Sequence, residues 1–93
     1  MNDRSLLRTH ALIDGKDVAG DSRFDVTDPA TGLKIADVAN VGAKDALDAI
    51  QAADAAWSVW RATTAKHRHG VLLKWFQLLV SHAEDLARIM TAE

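Results

Sequence analysis

The spacing of apolar side chains changes once along this chain, at Gly42, from a repeat of two to a repeat of about 3.6. Before that point the pattern is that of half-buried strands. After it, the pattern is that of amphipathic helices. A chain that writes its strands first and its helices second is restricted to an α+β arrangement, or to the lead-in of an α/β domain. At 93 residues it supports at most one small domain. Folds of this size bury a modest share of their surface and commonly rely on disulfides, a metal or a partner subunit. Cysteine is absent, which removes disulfides and thiolate metal sites and fits a reducing cytosol. The 48% hydrophobic share is that of a globular protein. Much of it is alanine, which buries little area per residue. The expectation is a helix-rich piece that is marginal on its own.

Charge narrows the function classes. The formal net charge is −2, with acids and bases interspersed. A general nucleic-acid binder needs a basic face to neutralise phosphates. No apolar run approaches the roughly 20 residues needed to span a bilayer. The opening Met1-Asn2-Asp3-Arg4-Ser5-Leu6-Leu7-Arg8 lacks the apolar core of a secretory signal. The expected compartment is therefore the cytoplasm, with no membrane and no nucleic-acid partner.

Residues 1–8 read as a loose arm or a short helical turn, and residues 9–41 as strands and turns. Thr9 to Ile13 and Lys16 to Ala19 flank Asp14-Gly15, a pair suited to a hairpin turn with positive φ at both central positions. Gly20 to Arg23 reads as loop. Phe24 to Asp28 alternates with period two and ends at Pro29-Ala30-Thr31-Gly32, where proline and glycine supply turn geometry and Asp28 can cap it. Leu33 to Val41 resumes as strand with a slipped alternation, which predicts a bulge or an edge strand.

Residues 42–93 read as three helices. In the first, Ala46, Leu47, Ile50, Ala53, Trp57 and Trp60 fall on one stripe that begins at Ala43. Thr63 or Thr64 can cap the second, from about Ala65 to Val80, whose expected buried side carries Arg68, Val71, Leu72, Trp75, Leu78 and Leu79. Gly70 within it costs about 1 kcal/mol against alanine, which predicts a close neighbour there. Ser81-His82-Ala83-Glu84 matches a capping box opening a third helix, with Glu84 and Arg88 at pairing distance. That third helix is still running at Glu93 with no stop signal, so the chain reads as the leading part of something larger.

Each chemistry-bearing residue has a plain structural explanation. His67 and His69 are two apart, whereas chelation from a helix needs three or four. His82 reads as a junction residue, and His10 is isolated. Asp45 with Asp48, and Glu84 with Asp85, are charges favoured near helix N-termini. Trp57, Trp60, Trp75 and Phe76 could stack bases, but they lie at helical spacing without a basic groove, so packing is the expectation. Ser5, Ser22, Ser58 and Ser81 lack any nucleophile context. The residues therefore assign no catalytic, cofactor-binding or metal site.

Taken in order, Ile13-Asp14-Gly15-Lys16, Asp28-Pro29-Ala30-Thr31-Gly32, Ala56-Trp57-Ser58-Val59-Trp60-Arg61, Thr64-Ala65-Lys66-His67-Arg68 and Asp85 to Glu93 resemble the N-terminus of an NAD(P)-dependent aldehyde dehydrogenase. Asp14 and Asp28 stand where family members usually carry asparagine, and His67 where they often carry glutamate. The second helix resembles the succinate-semialdehyde dehydrogenase branch most. The resemblance implies a larger enzyme with a Rossmann-like nucleotide-binding domain, a catalytic domain and an oligomerisation arm. It implies NAD or NADP as cofactor, an aldehyde as substrate and assembly as a homo-oligomer. The family's cysteine nucleophile, glutamate base and nucleotide contacts match nothing in these residues, so the chain alone is expected to be inert and to bind no cofactor. Its partner is then the remainder of the parent enzyme. Some relatives hold a structural cation where Val26, Thr27 and Glu93 stand. The alternative is a small autonomous interaction module that docks a partner through its tryptophan-bearing helices.

Overall fold

The computed structural model describes residues 3–93. Met1 and Asn2, the first residues of the expected arm, lie outside the described residues. A 3-10 turn, Arg4–Leu6, opens the described chain. Strands β1 (Ala11–Ile13) and β2 (Lys16–Val18) form an antiparallel hairpin with Ile13 opposite Lys16. Asp14 has φ 53° and Gly15 φ 71°. Both are positive, as the tight turn requires, and this twist matches that of the flanking strands.

Strands β3 (Ser22–Thr27) and β4 (Lys34–Asn40) form a second antiparallel pair. The strand starts earlier than the sequence predicts, since Ser22 and Arg23 pair with Asn40 and Ala39. Both are polar and exposed, so hydropathy carries no sign of their pairing. At the turn, the Asp28 carboxylate accepts from the Ala30 N–H at 2.8 Å, and the Gly32 N–H donates to the Asp28 carbonyl at 2.8 Å. The slipped alternation has a physical cause. Val26 faces Ala36 but Thr27 faces Lys34, so Ile35 is the extra residue of a bulge. Arg23 ties the layers together. Its guanidinium donates to the Asp37 carbonyl at 2.8 Å and to the Thr9 carbonyl at 3.3 Å, and the Ala39 N–H donates to the same Thr9 carbonyl at 2.8 Å.

Three helices follow: α1 (Ala43–Arg61), α2 (Ala65–Ser81) and α3 (Ala83–Ala92). The Thr64 hydroxyl accepts from the His67 N–H at 3.1 Å and caps α2. The expected capping box at α3 does not form. Helix α2 runs through Ser81, whose hydroxyl donates back to the Leu78 carbonyl at 3.1 Å, and only His82 separates the two helices. Glu84 and Arg88 do not come within ion-pair distance of each other either.

No described apolar residue is buried. The surface area is 7488 Å², against about 5,300 Å² for a folded monomer of this mass. The Cα radius of gyration is 16.5 Å, against about 12 Å for a compact domain of this length. The sequence-predicted buried side of α2 is therefore corrected: Val71, Leu72, Trp75, Leu78 and Leu79 are all exposed. A Cβ added at Gly70 would meet nothing within 4 Å, so the close neighbour expected there is not among the described residues.

Candidate functional site

Helix α1 carries two faces of different character, and the structure uses them differently. The hairpin of β1 and β2 rests on a line of small residues, with Leu12, Ile13 and Gly15 facing Ala49, Ala52 and Ala56 across a shallow cleft. Methyl side chains let a two-stranded ribbon approach the helix axis closely. The bulky stripe of Leu47, Ile50 and Trp57 points elsewhere and stays open, Trp57 at 55% exposure. The sequence reading expected small residues of its stripe to meet a close neighbour; Ala53 of that stripe lines this cleft, and Ala49, Ala52 and Ala56 beside the stripe complete the face. Period alone locates an apolar stripe, but α1 has two, and alanine counts weakly in any search for the buried one.

The α1–α2 elbow is locked by local bonds. The Thr63 hydroxyl donates to the Trp60 carbonyl at 2.7 Å, and the Arg68 guanidinium donates to the Thr63 carbonyl at 2.8 Å. The half-buried Trp60 ring meets His67 edge-on, with centroids 6.3 Å apart. Beyond the elbow, Trp75 at 61% exposure and Phe76 at 60% stand in the open. Among the described residues, the expected packing of these rings is thus met only by Trp60.

Below the second strand pair lies a cavity of about 70 Å³, bordered by Leu7, Val26, Ile35, Val38, Ile89 and Glu93. Val26 and Glu93, two of the three positions that the resemblance associated with a cation, both border this cavity, while Thr27 is not part of its lining. Arg8 and Arg88 also border the cavity.

Several of the remaining polar candidates engage in local structure. Ser5 donates to the Asp3 carboxylate, Ser58 to the Ala55 carbonyl at 3.2 Å, and His10 contacts the Thr9 hydroxyl at 3.3 Å. The Ser5 hydroxyl and N–H hold the Asp3 carboxyl below its ordinary range. Lys44 lies 3.5 Å from Asp48. On the exposed face of the strands, Lys34 sits 2.7 Å from Asp37 and 3.5 Å from Asp25. The bond to Asp37 pushes the lysine up, and the same bond pulls Asp37 down. Among the described residues no three metal-binding side chains gather, and no helix is long and apolar enough to cross a membrane. Asp85, read from sequence as a helix-start charge, is the buried polar residue, at 7% exposure. Its oxygen accepts from the Asp3 N–H at 2.9 Å. Sequence holds no signal for that role, because the donor is a backbone group far away in the chain.

What this arrangement offers is surface rather than chemistry: an ordered frame of strands, an elbow, and two helices with open apolar faces. The sequence model of the aldehyde dehydrogenase family matches residues 17–93. The chain is 45% identical over 95 aligned residues to the NADP(+)-dependent succinate-semialdehyde dehydrogenase GabD of Escherichia coli, covering 100% of this chain and 20% of the relative. It is 44% identical to the 3-sulfolactaldehyde dehydrogenase of Pseudomonas putida, again covering 100% of this chain and 20% of the relative. The crystal structure of succinate-semialdehyde dehydrogenase from Burkholderia pseudomallei superposes with a TM-score of 0.95 at 46% identity, over 99% of this chain and 20% of that one. The chain thus spans about one fifth of the length of the relatives it matches. Strand pairs, elbow and helices all correspond to the N-terminal part of that structure, and the chain belongs to the aldehyde dehydrogenase family.

Proposed function

We propose that these residues are the N-terminal scaffold of a larger NAD(P)-dependent aldehyde dehydrogenase, and that the 93-residue chain is by itself catalytically inert. The observation that carries this reading is the open apolar surface. A segment folded as in its relatives, yet with no buried hydrophobic side chain among its described residues, has its core in contacts with other parts of a protein. Cysteine is absent, and thiolate attack on an aldehyde needs one. In this reading residues 1–93 form the leading part of the nucleotide-binding domain: about 9–41 as strands and turns, and about 42–93 as helices packed around its sheet.

The substrate of the whole enzyme is a semialdehyde, with succinic semialdehyde first, and the product is the carboxylate. The E. coli relative's name supports NADP as oxidant, and NAD serves the same chemistry. The relative named for 3-sulfolactaldehyde is nearly as similar, so the shared substrate feature is an aldehyde with a remote acidic group. Assembly as a homo-oligomer accompanies this reading.

The test is direct. Purified chain is mixed with succinic semialdehyde and NADP or NAD, and reduced cofactor is followed by absorbance. The expected rate equals the blank. In parallel, the chain replaces the matching fifth of the E. coli relative. A soluble, active chimera is expected, whereas turnover by the isolated chain or an insoluble chimera would refute the proposal.

A further inference from the structure

Asp14-Gly15 is the only aspartyl-glycine step in the chain. Both residues are exposed, and they form the tight turn that sets Ile13 opposite Lys16. The Asp14 carboxylate has no ion pair or hydrogen bond among the described residues. The Gly15 N–H likewise donates to no described group. Glycine carries no Cβ, and the space where one would stand is empty to 4 Å. Nothing therefore crowds the Gly15 nitrogen or holds the Asp14 carboxyl away from it. The other aspartates of the first half differ in the residue that follows. Asp17 and Asp25 precede valine, Asp21 precedes Ser22, and Asp28 precedes Pro29, which has no N–H to lose.

We propose that Asp14 is a modification site, isomerising spontaneously to isoaspartate through attack of the Gly15 nitrogen on its side-chain carboxyl. The acid form of the carboxyl reacts. The N–Cγ bond forms, the Cγ–OH bond breaks, and the hydroxyl leaves as water with the amide proton of Gly15. Water then opens the succinimide ring. Addition at Cγ restores aspartate. Addition at the backbone carbonyl carbon of Asp14 breaks its bond to the Gly15 nitrogen, so the chain now runs through Cβ and Cγ. A free α-carboxylate is left on the turn. No oxidant or reductant enters. That carboxylate defines a partner class: a carboxyl methyltransferase specific for isoaspartate, which moves a methyl from the sulfonium of S-adenosylmethionine to the new oxygen. The modified backbone is longer by one carbon between Ile13 and Lys16, and a two-residue turn has no room for it. The hairpin then loses its register and its seat on Ala49, Ala52 and Ala56 of α1. This chemistry belongs to the turn itself and is independent of the dehydrogenase reading.

The 93-residue chain is incubated at mildly acidic pH, native and in urea, and sampled over weeks. Isoaspartate is located by peptide mass spectrometry with electron-transfer fragmentation. Its accessibility is read by methyl transfer from labelled S-adenosylmethionine, with an isoaspartyl methyltransferase as probe. In the native chain isoaspartate is expected at position 14, at least tenfold above Asp17 or Asp21, and it is expected to take the label. Asp14→Asn reaches the same imide by losing ammonia and should give the same product sooner. Asp14→Ser has no carboxyl and should take no label at this turn. In the isomerised fraction, amide exchange at Ile13 and Lys16 should quicken while β3–β4 is unchanged. No isoaspartate at position 14 in the native chain, or isoaspartate there only in urea, overturns the proposal. Equal accumulation at Asp17 and Asp21 also overturns it. Isoaspartate that takes no label overturns the partner, and protection at Ile13 and Lys16 that survives isomerisation overturns the loss of register.

Discussion

The carboxylate of Asp85, in the first turn of α3, accepts the backbone N–H of Asp3 at 2.9 Å, across 82 positions of sequence. One bond thus joins the start of the described chain to its last helix. It also places Leu7 beside Ile89 at the cavity under the strands. A charged acceptor makes a stronger bond than a neutral one, and an unmatched half-buried N–H is costly.

Asp85→Ala is therefore expected to free the arm. Amide hydrogen exchange at Ser5 to Leu7 should quicken several-fold, while the β3–β4 amides keep their protection. Asp85→Asn, which retains an acceptor oxygen, should keep much of the wild-type protection. Equal exchange in all three proteins would show that this bond does not hold the arm.

Lys34 bonds to both of two carboxylates that stand opposite each other across the strands, Asp25 and Asp37. Like charges facing each other across a sheet repel. The lysine is raised by its bond to Asp37, so its contribution is present below its ordinary value and is lost as pH rises through the raised one. Asp37 is lowered by the same bond, so its contribution is present above its ordinary value and is lost as pH falls through the lowered one. The pair therefore acts between about pH 4 and pH 10. Lys34→Met should weaken the β3–β4 hairpin at neutral pH and have less effect at an acid pH below the lowered range of Asp37. Hydrogen exchange of Asp25 and Asp37 amides at the two pH values reads the difference. Equal loss at both would assign the effect to packing.

Legibility followed the range of the interactions. Asp14-Gly15 and Asp28 to Gly32 announced their turns because φ preference and short side-chain bonds are written within a few residues. The switch at Gly42 announced the helices for the same reason. The bulge at Ile35 was visible as a broken alternation. Ser81 misled because a capping box and a helix-terminal hydroxyl bond use the same residue, and only the end of α2 decides between them. The covered face of α1 was legible in part: small residues announced a close approach and Ala53 lines the cleft, but Ala49, Ala52 and Ala56 lie beside the stripe that the period picks out. The tether of Asp85 was invisible, since its partner has no side-chain identity to read. The open face of α2 was legible as apolar, but its exposure was not, because period marks an apolar side without saying what packs on it.

Gly15→Ala tests the first hairpin by conformation alone. Gly15 has φ +71°, and an added Cβ would meet nothing within 4 Å. Crowding is therefore no part of the cost. The left-handed backbone costs an alanine about 1 kcal/mol. Since the β1–β2 hairpin rests on α1, the substitution should lower the urea midpoint of the chimera. It should also speed exchange at Ile13 and Lys16 before it affects β3 and β4. An unchanged midpoint would mean that the turn relaxes to another geometry.

Helix α2 offers two substitutions with opposite expected signs. Thr64→Ala removes the hydroxyl that accepts from the His67 N–H, at a cost of about 1 kcal/mol. Gly70→Ala replaces a mid-helix glycine whose added Cβ meets open space, a gain of about 1 kcal/mol. In the isolated chain, far-UV circular dichroism should show less helix for the first, more for the second, and near wild type for the double variant. The chimera adds a sharper demand. A Cβ at Gly70 meets open space among the described residues, so Gly70→Ala should raise the chimera's thermal midpoint as well. A gain in the isolated chain that turns into a loss in the chimera would place a close neighbour at Gly70, as the mid-helix glycine predicts from sequence.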